Sequence, residues 1–338
     1  MSTPVSHQWQ LNAFGPGNLR YVEAPLPPLA PHQVVVRVEA VSLNYRDLML
    51  VENRYGMTPT LPFTPGSDMA GTVLEVGAGV TRWRGGERVI STFVAGWLDG
   101  AAPPDAVTLG GPGTGPGMLA SHVVLDAQWL AAAPATLNAA AASTLPCAAL
   151  TSWVALMENG RLRAGQTVLI HGTGGVALFG LQLARLHGAQ VIVVSGDAEK
   201  RTRALALGAQ HVLERASDWP AAVMSLTQGH GADLVLETVG GANLGRSLQA
   251  LAVGGHVAFI GVLEGGEISA SGYDLIRRRA VVQGVSVGHR QALEQLVQAI
   301  DANKLQPVIA AEYPAAELPA ALDHLARGPF GKVVLRFA

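Results

Sequence analysis

Gly172, Gly174 and Ala177 stand in "GTGGVA" with the spacing G-x-G-x-x-A. Before them, "QTVLIH" is a short apolar run without alternation. After them, "VALFGLQLARLHG" has helical spacing that closes on a glycine. A tight turn from a buried strand into a helix exposes backbone N–H groups and the positive end of the helix dipole to an anion. Gly172 makes the turn, Gly174 lets a pyrophosphate approach the backbone, and Ala177 lets the helix pack on the strand. With Gly175 and Val176 opening the helix, the pattern reads as a nicotinamide dinucleotide site; the alternative is a plain glycine turn.

The next strand, "VIVV", decides which dinucleotide. An acidic residue at its end would bind a ribose 2′-hydroxyl and repel a 2′-phosphate. The strand ends at Ser195, with Asp197, Lys200 and Arg201 following and Arg215 after the third strand. Ser195 is read as the ribose-site residue, with Lys200 and Arg215 adding positive charge for NADP(H). Two alternatives stand beside this reading. In one the cations are a solvated surface, and in the other Asp197 reaches the ribose and NAD is used.

Two sets of elements must position this turn. "QVVVRVEAVSLN" (33–44) alternates, with Val34, Val36 and Val38 on one face. "AGTVLEVG", "ERVISTFV" and "GMLASHVVL" follow at short intervals, so the first part is expected to be β-rich, as a partly closed barrel. From residue 166 on, buried strands alternate with helices, the pattern of a doubly wound parallel sheet. Helices are expected near 289–303 and 316–327. The last strand, "GKVVLRF", is expected to rejoin the first domain. The Gly/Pro/Ala stretch 99–117 reads as a mobile surface loop.

Composition narrows the function classes. The 338 residues favour two domains. The net charge of −2 gives no footprint for nucleic acid. No apolar run reaches the roughly 18–20 residues of a membrane span. The N-terminus shows no export signal, and one cysteine makes no internal disulfide, so a cytoplasmic location is expected.

In "LPFTPGSDMAGTVLEVG" (61–77), Ser67 and Asp68 interrupt an apolar, glycine-rich run. The order of a β-rich first part, "LNYRD", "PGSDMAG", "GTGGVA" and a terminal "GKVVL" resembles the medium-chain dehydrogenase/reductase superfamily. Within it, the chain is similar to the zinc-free, quinone-oxidoreductase-like and zinc-less alcohol-dehydrogenase-like branch, over essentially its whole length. The resemblance implies an α/β protein: a GroES-like β-rich catalytic domain (1–125 and 291–338) around a Rossmann domain with a doubly wound parallel sheet (126–290). It also implies homodimers or homotetramers.

Zinc-dependent relatives hold the catalytic metal with two cysteines and a histidine; the resemblance puts Asn44, Ser67 and Cys147 at those places. Zinc needs three good protein ligands at a catalytic site, and Asn and Ser are poor ones. The closely spaced cysteines of a structural zinc lobe are absent as well. No zinc is therefore expected. Ser67 reads as a vacated ligand position, Asp68 as ordering the backbone or pairing with a cation such as Arg46, and Cys147 as a small buried hydrophobe.

Without a Lewis acid, a carbonyl-conjugated acceptor is the easier substrate. Hydride adds to the β-carbon while hydrogen bonds stabilise the enolate oxygen. The resemblance points to Asn44 and Tyr55 as donors; the alternatives are a turn cap for Asn44 and packing for Tyr55. Thr151, in "ALTSW" near the domain junction, is expected as a further cofactor contact. By resemblance, Thr238, Gly240, Gly261 and Val262 pass beside the ribose and nicotinamide, and Phe330 and Lys332 return from the tail. Lys332 reads equally as an exposed strand cation. The expected activity is metal-independent, NADP(H)-dependent reduction of an enone or quinone. The rivals are alcohol or aldehyde chemistry on the same fold and a non-catalytic NADPH-binding protein.

Overall fold

The alternation at 33–42 becomes the hub of the first unit. In the computed structural model, which describes residues 5–111 and 115–337, Val34, Val36 and Val38 are buried on one face of the strand Gln33–Ser42. That strand pairs antiparallel with Asp68–Val76, with His122–Asp126 and, through residues 40–42, with the last strand, Lys332–Arg336. The mixed seven-stranded sheet is completed by Arg88–Ser91, Leu130–Ala132 and Ile309–Pro314. Two register shifts between Gln33–Ser42 and Asp68–Val76 bend this sheet. It encloses a core that includes Val36, Met69, Val73, Leu119, Leu125 and Leu335.

Unbroken apolar runs give the second unit. Thr167–His171 is buried at every position, and its six-stranded sheet is parallel throughout. The spatial order is His211–Glu214, Gln190–Ser195, Thr167–His171, Ala232–Glu237, Leu251–Phe259, Val281–Gly284. Numbered along the chain, that order is 3-2-1-4-5-6, which places a topological switch point between Thr167–His171 and Ala232–Glu237. The helix Gly175–Leu186 follows the first of these strands and Asn243–Ala250 follows the fourth.

Several expectations are corrected. The backbone divides into Met1–Leu150 with Gly288–Ala338, and Thr151–Val287. The expected joins at 125/126 and 290/291 therefore move. Leu130–Ala132 pairs with Arg88–Ser91, and Ala140 packs against Ala40 and Val334, so these residues belong with the first unit. The helical run Ala139–Asn159 has 21 residues and is long and apolar enough to cross a membrane, against expectation. In sequence Ser143 and Thr144 break that run. In the fold their hydroxyls bond back to Ala140 O (2.8 Å) and Ala141 O (2.6 Å). Of its most apolar window, 83% is buried inside the protein, as in a core helix. In the stretch 99–117, Val107–Thr108 pairs with Val94–Ala95 and Leu109 is fully buried. Residues 112–114 of that stretch lie outside the described residues.

Candidate active site

In the first unit, strand pairing and one helical turn bring together residues far apart in sequence. Asn44 lies two residues beyond the central strand and is the N-cap position of a short helix, Tyr45–Val51. The Asp47 carboxylate reaches back to the Asn44 N–H (2.8 Å), half of a capping box, while the Asn44 side chain makes no cap. Leu43 N–H donates to Val333 O (2.9 Å), which brings Lys332 alongside. Lys332 is buried, and its Nζ donates to Leu43 O and Asn44 Oδ1, both at 2.6 Å. The exposed-cation reading of Lys332 is thus overturned.

Chemistry orients the rest. An ammonium only donates, so the Asn44 amide presents its oxygen to Lys332 and its Nδ2 to Ser67 Oγ (3.4 Å). Ser67 Oγ donates to Asp68 Oδ1 (2.5 Å), and Cys147 N–H donates to Asp68 Oδ2 (3.1 Å). The second bond has a local cause. Pro146 lacks an N–H, and the helix widens to a π-helical turn at Leu145–Ala149, which releases the Cys147 N–H from the helical ladder. Asp68 therefore does order neighbouring backbone. The suggested pairing with Arg46 does not occur: Arg46 Nη2 donates to Leu109 O (2.8 Å), and its guanidinium lies 4.3 Å from the Phe93 ring centre. Tyr55 follows the helix Tyr45–Val51 rather than a strand; it is half-buried and outside this network.

Do these residues fit zinc? Among the described residues, no group of three His, Cys, Asp or Glu is placed to hold a metal ion. Burial, with Asp68 adding, pushes the Cys147 thiol up to about 12, so it is neutral. Both Asp68 oxygens are engaged, and a buried ammonium stands against Asn44. The positions do not form a zinc set.

Burial, with smaller help from Asp68, raises Asp47 to about 6, against the opposing pull of Arg46, the Asn44 N–H and Lys332. A carboxyl raised in the folded state holds its proton more tightly there than when unfolded. Its contribution is favourable at low pH and is lost as pH rises from about 4 through 6. Asp47→Asn is therefore expected to gain about 2–3 kcal/mol on wild type between pH 4 and pH 7. Urea unfolding at the two pH values measures this. An unchanged difference between variant and wild type would contradict it.

In the second unit, the glycine turn lies between the predicted elements. Gly172 has φ +83°, in the left-handed region, and its N–H donates to Val194 O (2.8 Å). Gly174 is the N-cap of Gly175–Leu186 with an ordinary φ of −78°, and a Cβ there would meet no atom within 4 Å. The protein itself thus does not require a glycine at 174, whereas a close-approaching ligand does. The first helical N–H groups, including those of Gly175 and Val176, have no intrahelical acceptor. These residues fit a dinucleotide pyrophosphate.

The ribose-site residues are partly committed. Ser195 is buried; its Oγ accepts from Asp197 N–H (3.4 Å), and its carbonyl accepts from Arg201 Nη1 (2.8 Å). Asp197 caps the helix Ala198–Ala206 by accepting from Lys200 N–H (2.9 Å), and that bond holds its carboxyl below the usual range. Arg215 is ion-paired with Glu264. Both line a cavity of about 460 Å³ with Gly196, Glu214, Asn243 and Arg246. Thr238 Oγ1 donates to His171 O (2.8 Å), and Gly240 has φ +74°. A Cβ on Gly261 would come within 2.3 Å of Thr238 O, while Val262 is exposed. Thr151 is buried in this unit and Phe330 in the first.

Sequence reasoning missed a buried group here: His171, Glu237, Asn243 and Ser247. The available signal was a titratable residue closing each of two apolar strands, "TVLIH" and "DLVLE". His171, Ser247 and Glu237 are not a hydrolytic triad. Ser247 lies between His171 and Glu237, donates to the carboxylate (2.6 Å), and is fully buried.

Residues 30–135 match the family model for the alcohol dehydrogenase GroES-like domain, and residues 175–302 that for zinc-binding dehydrogenase. A zinc-type alcohol dehydrogenase-like protein of Schizosaccharomyces pombe is 34% identical over 91% of this chain and 92% of its own length. Rat (Rattus norvegicus) quinone oxidoreductase is 29% identical over 92% and 91%. A Sinorhizobium meliloti structure, solved as a candidate alcohol dehydrogenase, is 52% identical over both full chains with a TM-score of 0.95. The GroES-like unit, the Rossmann order of the second sheet and these relatives agree: the chain belongs to the medium-chain dehydrogenase/reductase superfamily and is an NAD(P)H-dependent oxidoreductase.

Proposed function

We propose that this oxidoreductase works without a metal, prefers NADP(H), and reduces a carbonyl-conjugated acceptor, an enone or a quinone. The observation that carries the reading is Lys332, whose Nζ is 2.6 Å from both Leu43 O and Asn44 Oδ1 in a buried setting. An ammonium has three hydrogens, and Leu43 O and Asn44 Oδ1 take two of them. The third serves the acceptor oxygen, with Asn44 holding the ammonium in place. Ser67 and Asp68 hold Asn44 in turn. The bound dinucleotide supplies the hydride. Charge then grows on the acceptor oxygen, where a fixed donor in a dry site acts most strongly. An alcohol would need its O–H proton removed instead, and a donor-only cation does not do that.

The NADP(H) preference is supported by Ser195 at the end of its strand and by the Asp197 carboxylate being committed as a helix cap. Arg215 would have to exchange Glu264 for a 2′-phosphate; both are about half exposed, so the exchange costs little. The names of the S. pombe and S. meliloti relatives favour a second reading, alcohol oxidation or aldehyde reduction. Initial rates over a panel of enones, quinones, aldehydes and alcohols with NADPH and NADH, followed by nicotinamide absorbance, separate the two. The expected result is turnover of enones or quinones with a higher kcat/KM for NADPH. Turnover confined to alcohols and aldehydes would overturn the acceptor reading, and a higher kcat/KM with NADH the cofactor reading.

A further inference from the structure

A carboxylate that closes a buried strand must find several donors or remain neutral. Glu237 ends Ala232–Glu237 with no exposed surface. Its carboxylate accepts from Val239 N–H (2.9 Å), Gly240 N–H (3.2 Å), Asn243 Nδ2 (2.8 Å) and Ser247 Oγ (2.6 Å). Four donors fill the acceptor sites of a carboxylate. Asn243 and Ser247, four residues apart, present one face of the helix Asn243–Ala250 to it.

The network continues to two neighbouring loops. The one hydroxyl hydrogen of Ser247 is spent on Glu237, so at 3.0 Å His171 Nε2 must be the donor to Ser247 Oγ. Burial lowers the pKa of His171 against the opposing pull of Glu237, in keeping with a neutral ring that carries its proton on Nε2. His171 immediately precedes Gly172, and its carbonyl accepts from Thr238 Oγ1 (2.8 Å). On the other side, the Glu237 carbonyl accepts from Ile260 N–H (2.8 Å) and Gly261 N–H (3.1 Å). The loops beginning at 172, 238 and 260 follow the carboxyl ends of three adjacent strands, at and beside the switch point of the sheet.

We propose that Glu237 is a positioning residue for the nicotinamide half of the dinucleotide: through its carboxylate, Ser247 and His171 it holds the loops beginning at 172 and 238 in one arrangement before the nucleotide binds, while its main-chain carbonyl anchors the loop beginning at 260. The proposal rests on the dinucleotide reading of the glycine turn. Glu237 touches no reacting atom; its side chain acts by fixing Val239 and Gly240 directly and Gly172 and Thr238 through Ser247 and His171. A ligand that occupies only the adenosine end, near Arg215, meets Asn243 but not the loops at 238 and 260, and depends on this arrangement less.

The test uses full-length Glu237→Gln and the milder Ser247→Ala. Glutamine keeps the shape but replaces one accepting oxygen with a donor, facing donors already in place. Dissociation constants are measured for NADPH, for NADH, and for an adenosine bisphosphate that lacks the nicotinamide half. Glu237→Gln is expected to weaken the better dinucleotide roughly 10–100-fold. Ser247→Ala should weaken it by about 3-fold or more, and both variants should leave the adenosine bisphosphate within about 3-fold of wild type. An unchanged dinucleotide constant, or equal weakening of dinucleotide and fragment, would overturn the proposal. If Glu237→Gln does not fold, the two constants of Ser247→Ala decide by the same criteria. Wild-type protein that binds neither dinucleotide would instead sink the nucleotide-site reading itself, a separate outcome.

Discussion

Lys332→Met is expected to lower kcat for enone reduction by about 100–1000-fold and to cost about 3–5 kcal/mol of stability. Both effects have one origin. Asp47 and Asp68 are buried carboxylates, and Arg46 and Lys332 are the buried cations beside them. Burial raises Asp68 above the usual carboxylate range, and the largest opposing influence is Lys332. Methionine fills a similar volume, so packing survives while the countercharge and the donor are lost. Lys332→Arg restores charge with a bulkier, planar head and should recover at least a tenfold part of the rate. Circular dichroism and urea unfolding follow the structural loss, and steady-state rates follow the chemical one. A folded Lys332→Met protein with kcat within about 3-fold of wild type would remove the ammonium from the mechanism.

The second large effect separates two glycines that look alike in sequence. Gly174→Val is expected to leave stability within about 1 kcal/mol of wild type, since its φ is ordinary and its Cβ would meet nothing within 4 Å. Nucleotide affinity should nevertheless fall by about 100-fold or more, because the added methyls stand where the pyrophosphate meets the helix N-terminus. Gly172→Ala is the converse. At φ +83° a side chain is strained by about 1–3 kcal/mol before any ligand arrives. Thermal unfolding of the free proteins and NADPH titration give the two numbers for each variant. Tight NADPH binding by Gly174→Val would place the phosphates elsewhere.

What the residues disclosed in advance follows from how local each signal is. Buried runs such as "TVLIH" and "VIVV" depend only on their own composition, and the parallel sheet followed from them. The helix Tyr45–Val51 was hidden because the strand before it is strongly periodic and the helix spans two turns. Lys332 was ambiguous because its partner Asn44 is 288 residues away and is reached only through the pairing of the tail with residues 40–42. Asp68 was visible as an oddity, but its partners are a hydroxyl beside it and an N–H released by a π-helical turn around a proline, which no spacing announces. Glu237 stands in sequence only as a titratable residue closing an apolar run, since burial of its carboxylate depends on donors from a later helix.

The measurement closest to the central claim is the rate of NADPH oxidation with an enone before and after exhaustive chelation, with zinc per chain determined on the same samples. The account predicts substoichiometric zinc and an unchanged rate, because Asn and Ser are poor zinc ligands and the Asn44 oxygen is taken by the Lys332 ammonium. One zinc per chain, with activity lost on chelation and restored by zinc, would contradict it.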